Sequence, residues 1–187
     1  MNKVMIVIAS VRPVRVGPAV AEWVRSRFAE LPDWQIDLVD LAELALPLMD
    51  EPNHPRLRQY TKAHTIAWSE RVDAADAFVF VTPEYNHSFS PALANALGYL
   101  SQEWWRKPVS FVSYGGASAG TRGVVALSGI LASLGLVRTG ANVEIPFVGG
   151  LISEGVLTPT EKEQTILGNA IVELGQLATA LRPLQNR

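Results

Sequence analysis

Five short runs of apolar, β-favouring residues recur along the chain, and each is followed by a longer stretch of helical period. This alternation constrains the fold more than any other feature. Residues 3–9 (KVMIVIA) are almost entirely apolar, as expected of a strand buried on both faces. Residues 34–41 read as a second strand, 77–82 (AFVFVT) as a third, 108–114 (PVSFVSY) as a fourth and 137–145 as a fifth. Residues 17–31 place Val20, Ala21, Val24 and Phe28 on one helical face. Helices are also predicted over 56–75, 91–101, 121–134 (with Gly135 as C-cap) and 158–181. Thr158 is the expected N-cap of the last one, with Pro159 at its first position and Glu161 closing a capping box. Units of ~37 residues suit βαβ crossovers. The expected architecture is therefore an α/β, five-stranded, doubly wound parallel sheet with helices on both faces.

A chain of 187 residues is little more than one domain length, and no composition shift or repeat divides it, so one domain over 1–187 is expected. Apolar residues at 48% and charged residues at 18% exclude a disordered chain or a coiled coil. Sixteen basic against eighteen acidic residues give a net charge of −2, without the basic excess of a nucleic-acid binder. There is no cysteine, which excludes disulfides, thiolate catalysis and dithiol chemistry; redox chemistry would need a bound cofactor. No run of about 18 apolar residues suggests a membrane span. The apolar run at 4–9 is shorter than the about 7 residues a signal-peptide core needs, so the cytoplasm is the expected location.

Open parallel sheets bind ligands at the carboxyl ends of their strands. Three loops at that edge carry unusual residues. The first, 10–18, holds Ser10, Arg12 and Arg15 ahead of Gly17-Pro18, which opens a helix. It lacks both G-x-x-x-x-G-K-[ST] and G-x-G-x-x-G, yet it has the hydroxyl, the guanidinium forks and the helix N-terminus of a phosphate cradle. A surface loop with two solvated arginines is an equally open reading. The second, Pro83-Glu84-Tyr85-Asn86-His87-Ser88-Phe89-Ser90, joins an aromatic to several polar groups, which suits a flat aromatic ligand. The alternative is that Tyr85 and Phe89 simply pack beneath it. The third, 114–121, has the adjacent Gly115 and Gly116, which allow backbone to approach a ligand; a flexible linker would look the same. His54, His64 and His87 lack metal-ligand spacing, so no metal is expected. A hydrolase nucleophile elbow is not expected either. Trp104-Trp105 reads as core packing, or else as a pocket rim or subunit interface.

Together, Ser10-x-Arg12-x(4)-Gly17-Pro18, Thr82-Pro83-Glu84-Tyr85-Asn86-His87-Ser88 and Tyr114-Gly115-Gly116 resemble the NADPH-dependent FMN reductase family. This flavodoxin-like group includes quinone, chromate and azo-dye reductases. Pro91, Leu93, Asn95 and Ala96 continue the likeness, which covers roughly residues 3 to 180. The resemblance implies bound FMN, NADPH or NADH as co-substrate and a small-molecule electron acceptor. It implies that Ser10, Arg12, Val16 and Gly17 grip the FMN phosphate, and that Pro83, Glu84, Tyr85 and Asn86 line the isoalloxazine ring. It implies that Ser113, Gly115 and Gly116 bring backbone to the ring's pyrimidine edge. The sequence departs from the family pattern at Ala9 for Gly, Ala94 for Lys and Gly98 for Asp. No side-chain acid or base is required. Helix 91–101 is apolar around much of its surface, so a homodimer or tetramer is expected. A non-enzymatic electron carrier is the first alternative, opposed by the low net charge, and an FMN-binding regulatory module is the second.

Overall fold

All five apolar runs enter one parallel sheet. The computed structural model describes residues 1–185. Its elements run β1 (Asn2–Ile8), α1 (Gly17–Ala29), β2 (Trp34–Asp40), α2 (Leu41–Leu44), α3 (Ala63–Asp73), β3 (Ala77–Pro83), α4 (Pro91–Gly98), β4 (Pro108–Tyr114), α5 (Thr121–Ala126), α6 (Ser128–Leu134), β5 (Val137–Arg138), β6 (Val143–Ile145), β7 (Ile152–Ser153), β8 (Val156–Leu157) and α7 (Glu161–Leu181). The sheet order is β2-β1-β3-β4-β5, with β6 also paired to β4, and every pairing in it is parallel. This is the flavodoxin-like order.

The apolar character of β1, β3 and β4 follows from burial on two sides. Met5, Val7, Phe78, Phe80 and Phe111 pack on one face with Trp68, Leu97 and Trp104. Ile6, Val79, Val81 and Val112 pack on the other with Val20, Val24 and Phe28 of α1 and Leu167 and Leu174 of α7. Strands covered on both faces show no polar alternation. The chain leaves β1 for β2 on one side and returns to β3 on the other, so the order reverses between β1 and β3. A crevice opens where their carboxyl ends diverge. Among the described residues no helix is long and apolar enough to cross a membrane.

Several boundaries differ from expectation, each for a local reason. The helix expected over 56–75 is a short 3-10 turn, Pro55–Leu57, then a loop, then α3. The Glu51 carboxylate accepts the N–H groups of Thr61 and Lys62 at 2.9 Å each, so α3 is capped from a distant residue and starts late. The helix expected over 91–101 ends at Gly98, with a 3-10 turn, Gln102–Trp104, after it. Its Leu93, Ala96 and Leu97, with Tyr99 and Leu100 beyond, are buried within this chain, while Ala92 and Ala94 stay partly exposed. The helix expected over 121–134 breaks at Leu127, whose N–H donates to Val124. The last helix is capped by Thr160 with Glu163, not by Thr158 with Glu161. The Thr158 N–H is held by the Leu151 carbonyl at 2.8 Å, which keeps the chain extended past β8.

The fifth sheet position is filled by two pieces, β5 and β6, instead of one strand over 137–145. Between them the Gly140 and Ala141 N–H groups donate to Glu173 at 2.7 and 3.0 Å, and the Asn142 side-chain oxygen accepts from Phe111 N–H at 3.3 Å. Side chains thus take the partners a continuous strand would have used. The antiparallel pair β7–β8 was not expected; Glu154 and Gly155 form its turn at positive φ.

Candidate functional site: three loops at the carboxyl edge

The loop after β1 separates its two arginines. The Arg15 guanidinium forms two hydrogen bonds with the Asp40 carboxylate, one of 2.9 Å, and donates to the Ser10 carbonyl at 2.8 Å. Asp40 ends β2, and it also accepts the Ala42 N–H at 2.9 Å to start α2. Arg15 therefore holds the loop in shape. Arg12 is exposed and makes no ion pair or hydrogen bond among the described residues. It is the free cation of the loop.

The helix that follows is left ready for an anion. α1 spans 13 residues, starts after Val16 and carries Pro18 in its first turn; no side chain caps it and no acidic residue lies in that turn. Its first N–H groups and the aligned peptide dipoles favour negative charge. Tyr114, at the end of β4, reaches this helix start. Its hydroxyl is buried and has no hydrogen-bond partner among the described residues. Gly17 makes the approach possible: a Cβ there would lie 2.8 Å from that hydroxyl and 3.1 Å from Ile8 Cγ2.

The loop after β3 is a tight hairpin. Tyr85 and Ser88 exchange both backbone hydrogen bonds at 2.9 Å, and Asn86 and His87 between them have φ of 50° and 63°. Both central residues are left-handed, as in a type I′ turn, and Asn tolerates this better than most residues. The Tyr85 N–H is thereby consumed. Those of Glu84, Asn86 and His87 have no partner among the described residues. The Ser10 and Tyr85 hydroxyls share a hydrogen bond of 2.6 Å, which joins the first loop to the second. Ser90 adds another tie by donating to the Ala9 carbonyl at 2.6 Å.

The second and third loops are joined through Glu84. Its carboxylate accepts from Arg122 Nε at 2.7 Å and from the Ser118 hydroxyl at 3.0 Å. Burial opposes ionisation of Glu84, but the hydrogen bonds from Arg122 and Ser118 outweigh it and hold the carboxyl below its ordinary range. With its carboxylate committed, Glu84 has its backbone N–H left for a ligand. Just before the third loop, in β4, Ser113 is buried and its hydroxyl points to the Val143 carbonyl at 3.4 Å. The Gly115 N–H donates to Ile145 at 3.2 Å, whereas Gly116 is exposed with open space where a Cβ would sit. Residues 116–120 do match G-x-S-x-G, contrary to expectation. Ser118 is held by Glu84 and Arg122, and among the described residues no imidazole is bonded to it as the base of a hydrolase triad would be.

Other sequence candidates lie elsewhere. His54 caps the turn at Arg56, His64 contacts Asp50, and Trp104 is in the core, donating to the Leu97 carbonyl at 3.1 Å. A cavity of about 350 Å³ at Arg56, Gln102 and Trp105 sits where β4 begins, at the opposite sheet edge. A more apolar one of about 380 Å³, walled by Val11, Leu46, Leu48 and Ala92, lies beside the first loop. Asp40, Tyr114 and Gly120 are site residues to which the sequence assigned no role, and Arg15, expected as a second phosphate fork, braces the loop instead. For Gly120 the signal was present: a third glycine in the run, sitting at φ 81°.

The arrangement can take an elongated ligand with an anionic end and a flat end. Free Arg12, the uncapped start of α1 and the unpartnered Tyr114 hydroxyl fit a phosphate group. The hairpin donors fit the polar edge of a ring. Fold and site define a flavodoxin-like protein with a nucleotide-type ligand edge. The chain belongs to the NADPH-dependent FMN reductase family, whose model matches residues 2–148. An NAD(P)H-dependent FMN reductase from Nectria sp is 35% identical over 169 residues, covering 84% of each chain. Another from Schizosaccharomyces pombe is 40% identical over 120 residues, which span 63% of this chain and 60% of that relative. A flavoenzyme NAD(P)H:(acceptor) oxidoreductase from Paracoccus denitrificans superposes with a TM-score of 0.76 at 16% identity, covering 96% of this chain and 98% of that one. At that identity the likeness shows the fold alone.

Proposed function

We propose that this chain is an FMN-dependent NAD(P)H oxidoreductase that passes electrons to a small acceptor such as a quinone or an azo compound. The observation that carries the reading is the continuity of the site. A free guanidinium at an uncapped helix N-terminus lies in one loop, and the 2.6 Å contact between Ser10 and Tyr85 ties that loop to a turn with free N–H donors. The names of relatives support the reading: they include an NADPH azoreductase from a Bacillus strain and an NADPH:quinone oxidoreductase from Arabidopsis thaliana.

Arg12 and the start of α1 hold the phosphate end, while Arg15, locked to Asp40, fixes the loop between them. Tyr85 offers apolar area with its hydroxyl already partnered. The Glu84, Asn86 and His87 N–H groups donate to the ring edge. When bound, FMN supplies the hydride and electron chemistry that no side chain here can perform. The Glu84–Arg122 clamp keeps the hairpin and the third loop at a fixed distance.

The deciding experiment is a visible-light titration of the purified chain with FMN, followed by anaerobic addition of NADPH and then a benzoquinone. The expected result is a bound flavin spectrum that NADPH bleaches and the quinone restores. Absence of flavin binding overturns the reading; a bound flavin that NADPH leaves oxidised makes the chain a carrier or a regulator instead. Arg12→Ala is expected to weaken FMN binding by about 1.5–3 kcal/mol, the worth of a charge-assisted hydrogen bond. Unchanged affinity in the same titration would remove Arg12 from the phosphate site.

A further inference from the structure

We propose that the Tyr114 hydroxyl is a phosphate-binding donor, which makes the site select flavin mononucleotide over unphosphorylated riboflavin. The proposal rests on the FMN reading above and goes beyond it by adding a ligand from β4, on the sheet face that α1 covers. Tyr114 is only 4% exposed, and its hydroxyl is one of three buried side-chain polar atoms among the described residues without a hydrogen-bond partner. Buried polar groups are almost always paired, so such an orphan needs an explanation. Here the orphan does not face apolar core alone. It lies 2.8 Å from where a Cβ of Gly17 would stand, at the first residue of α1, a 13-residue helix with no side-chain cap. Two independent features therefore meet at one point: donor groups of a helix start, and a hydroxyl delivered from β4.

The neighbouring hydroxyls leave Tyr114 without a formed hydrogen bond among the described residues. Ser10 lies close enough to draw on the Tyr114 hydroxyl, but its formed hydrogen bond, 2.6 Å long, goes to Tyr85. Burial pushes the Tyr114 phenol above its ordinary range; Ser10, Arg15 and Arg12 pull the other way without cancelling it. The group thus stays protonated and can only donate to an anion whose oxygens only accept. A glycine at 17 fits the same scheme, because any side chain there would displace the hydroxyl. Riboflavin shares the ring but lacks the phosphate, so it should be indifferent to this hydroxyl.

Tyr114→Phe removes the oxygen and keeps the ring in the core cluster that also holds Ile8, Val112 and Ile145. The variant and the wild type would each be titrated with FMN and with riboflavin, and the ligand-free proteins melted. The expected result is an FMN dissociation constant raised about ten- to a hundredfold, as for a hydrogen bond to a charged group. Riboflavin affinity should stay within about twofold, and the ligand-free variant should melt no lower than the wild type. Equal changes for both flavins, or no change for either, would overturn the proposal, the second outcome meaning that a buried water is the partner. If the wild type binds neither flavin, the FMN reading itself fails; if it binds both equally well, FMN stands but no phosphate is read here.

Discussion

Asp40→Ala is expected to destabilise the protein by about 3 kcal/mol and to weaken FMN binding in parallel. The Arg15 and Asp40 side chains are 16% and 11% exposed, so removing the carboxylate leaves a largely buried guanidinium unpaired. Breaking a buried pair from one side costs about 3–5 kcal/mol; residual exposure places this one at the low end. The freed Arg15 also releases the Ser10 carbonyl, and with it the loop that presents Arg12. Asp40→Asn separates the effects, since it keeps an acceptor for the Ala42 N–H while removing the charge. Urea unfolding of both variants checks the expectation. A loss below about 1 kcal/mol for Asp40→Ala would mean the pair behaves like a solvated surface bridge.

Gly120→Ala is expected to cost a similar amount, about 3 kcal/mol, from strain and overpacking together. Gly120 sits at φ 81°, and a Cβ there would lie 2.8 Å from the Tyr114 carbonyl oxygen and 2.9 Å from the Tyr114 nitrogen. These are backbone atoms at the end of a central strand and cannot swing aside. The relief has to come from moving Tyr114, so FMN affinity should fall as well. Gly116→Ala is the matched control, because nothing lies within 4 Å of its added methyl. Equal melting temperatures for the two variants would show that the loop yields where the geometry says it cannot.

The strands were legible because burial on both faces of β1, β3 and β4 leaves an unmistakable apolar run. The three loops were legible for a related reason: a polar cluster that ends such a run marks the carboxyl edge of the sheet. What sequence could not show is where long-range partners act. Arg12 and Arg15 look alike in a one-dimensional reading, and only Asp40, 25 residues away, tells the structural cation from the free one. The start of α3 depends on Glu51, and the start of α7 on a Thr158 N–H already given to Leu151. Tyr114 reads as one more apolar residue in a strand; the direction of its hydroxyl becomes visible only once Gly17 lies beneath it. Ser113 and Gly115 illustrate the converse: they sit at the expected strand end and loop, but β6 has taken the Ser113 hydroxyl and the Gly115 N–H.

The divided fifth position of the sheet has a consequence for how copies of this protein behave when crowded. An intact edge strand offers a continuous row of donors and acceptors on which a foreign strand can crystallise, the first step toward aggregates. Here that row is cut into segments of two and three residues, and the Gly140 and Ala141 donors between them are already committed to Glu173. A strand arriving from another molecule finds no run long enough to zip along. This margin of the sheet is thus closed to templated growth by its own irregularity, with no covering helix required.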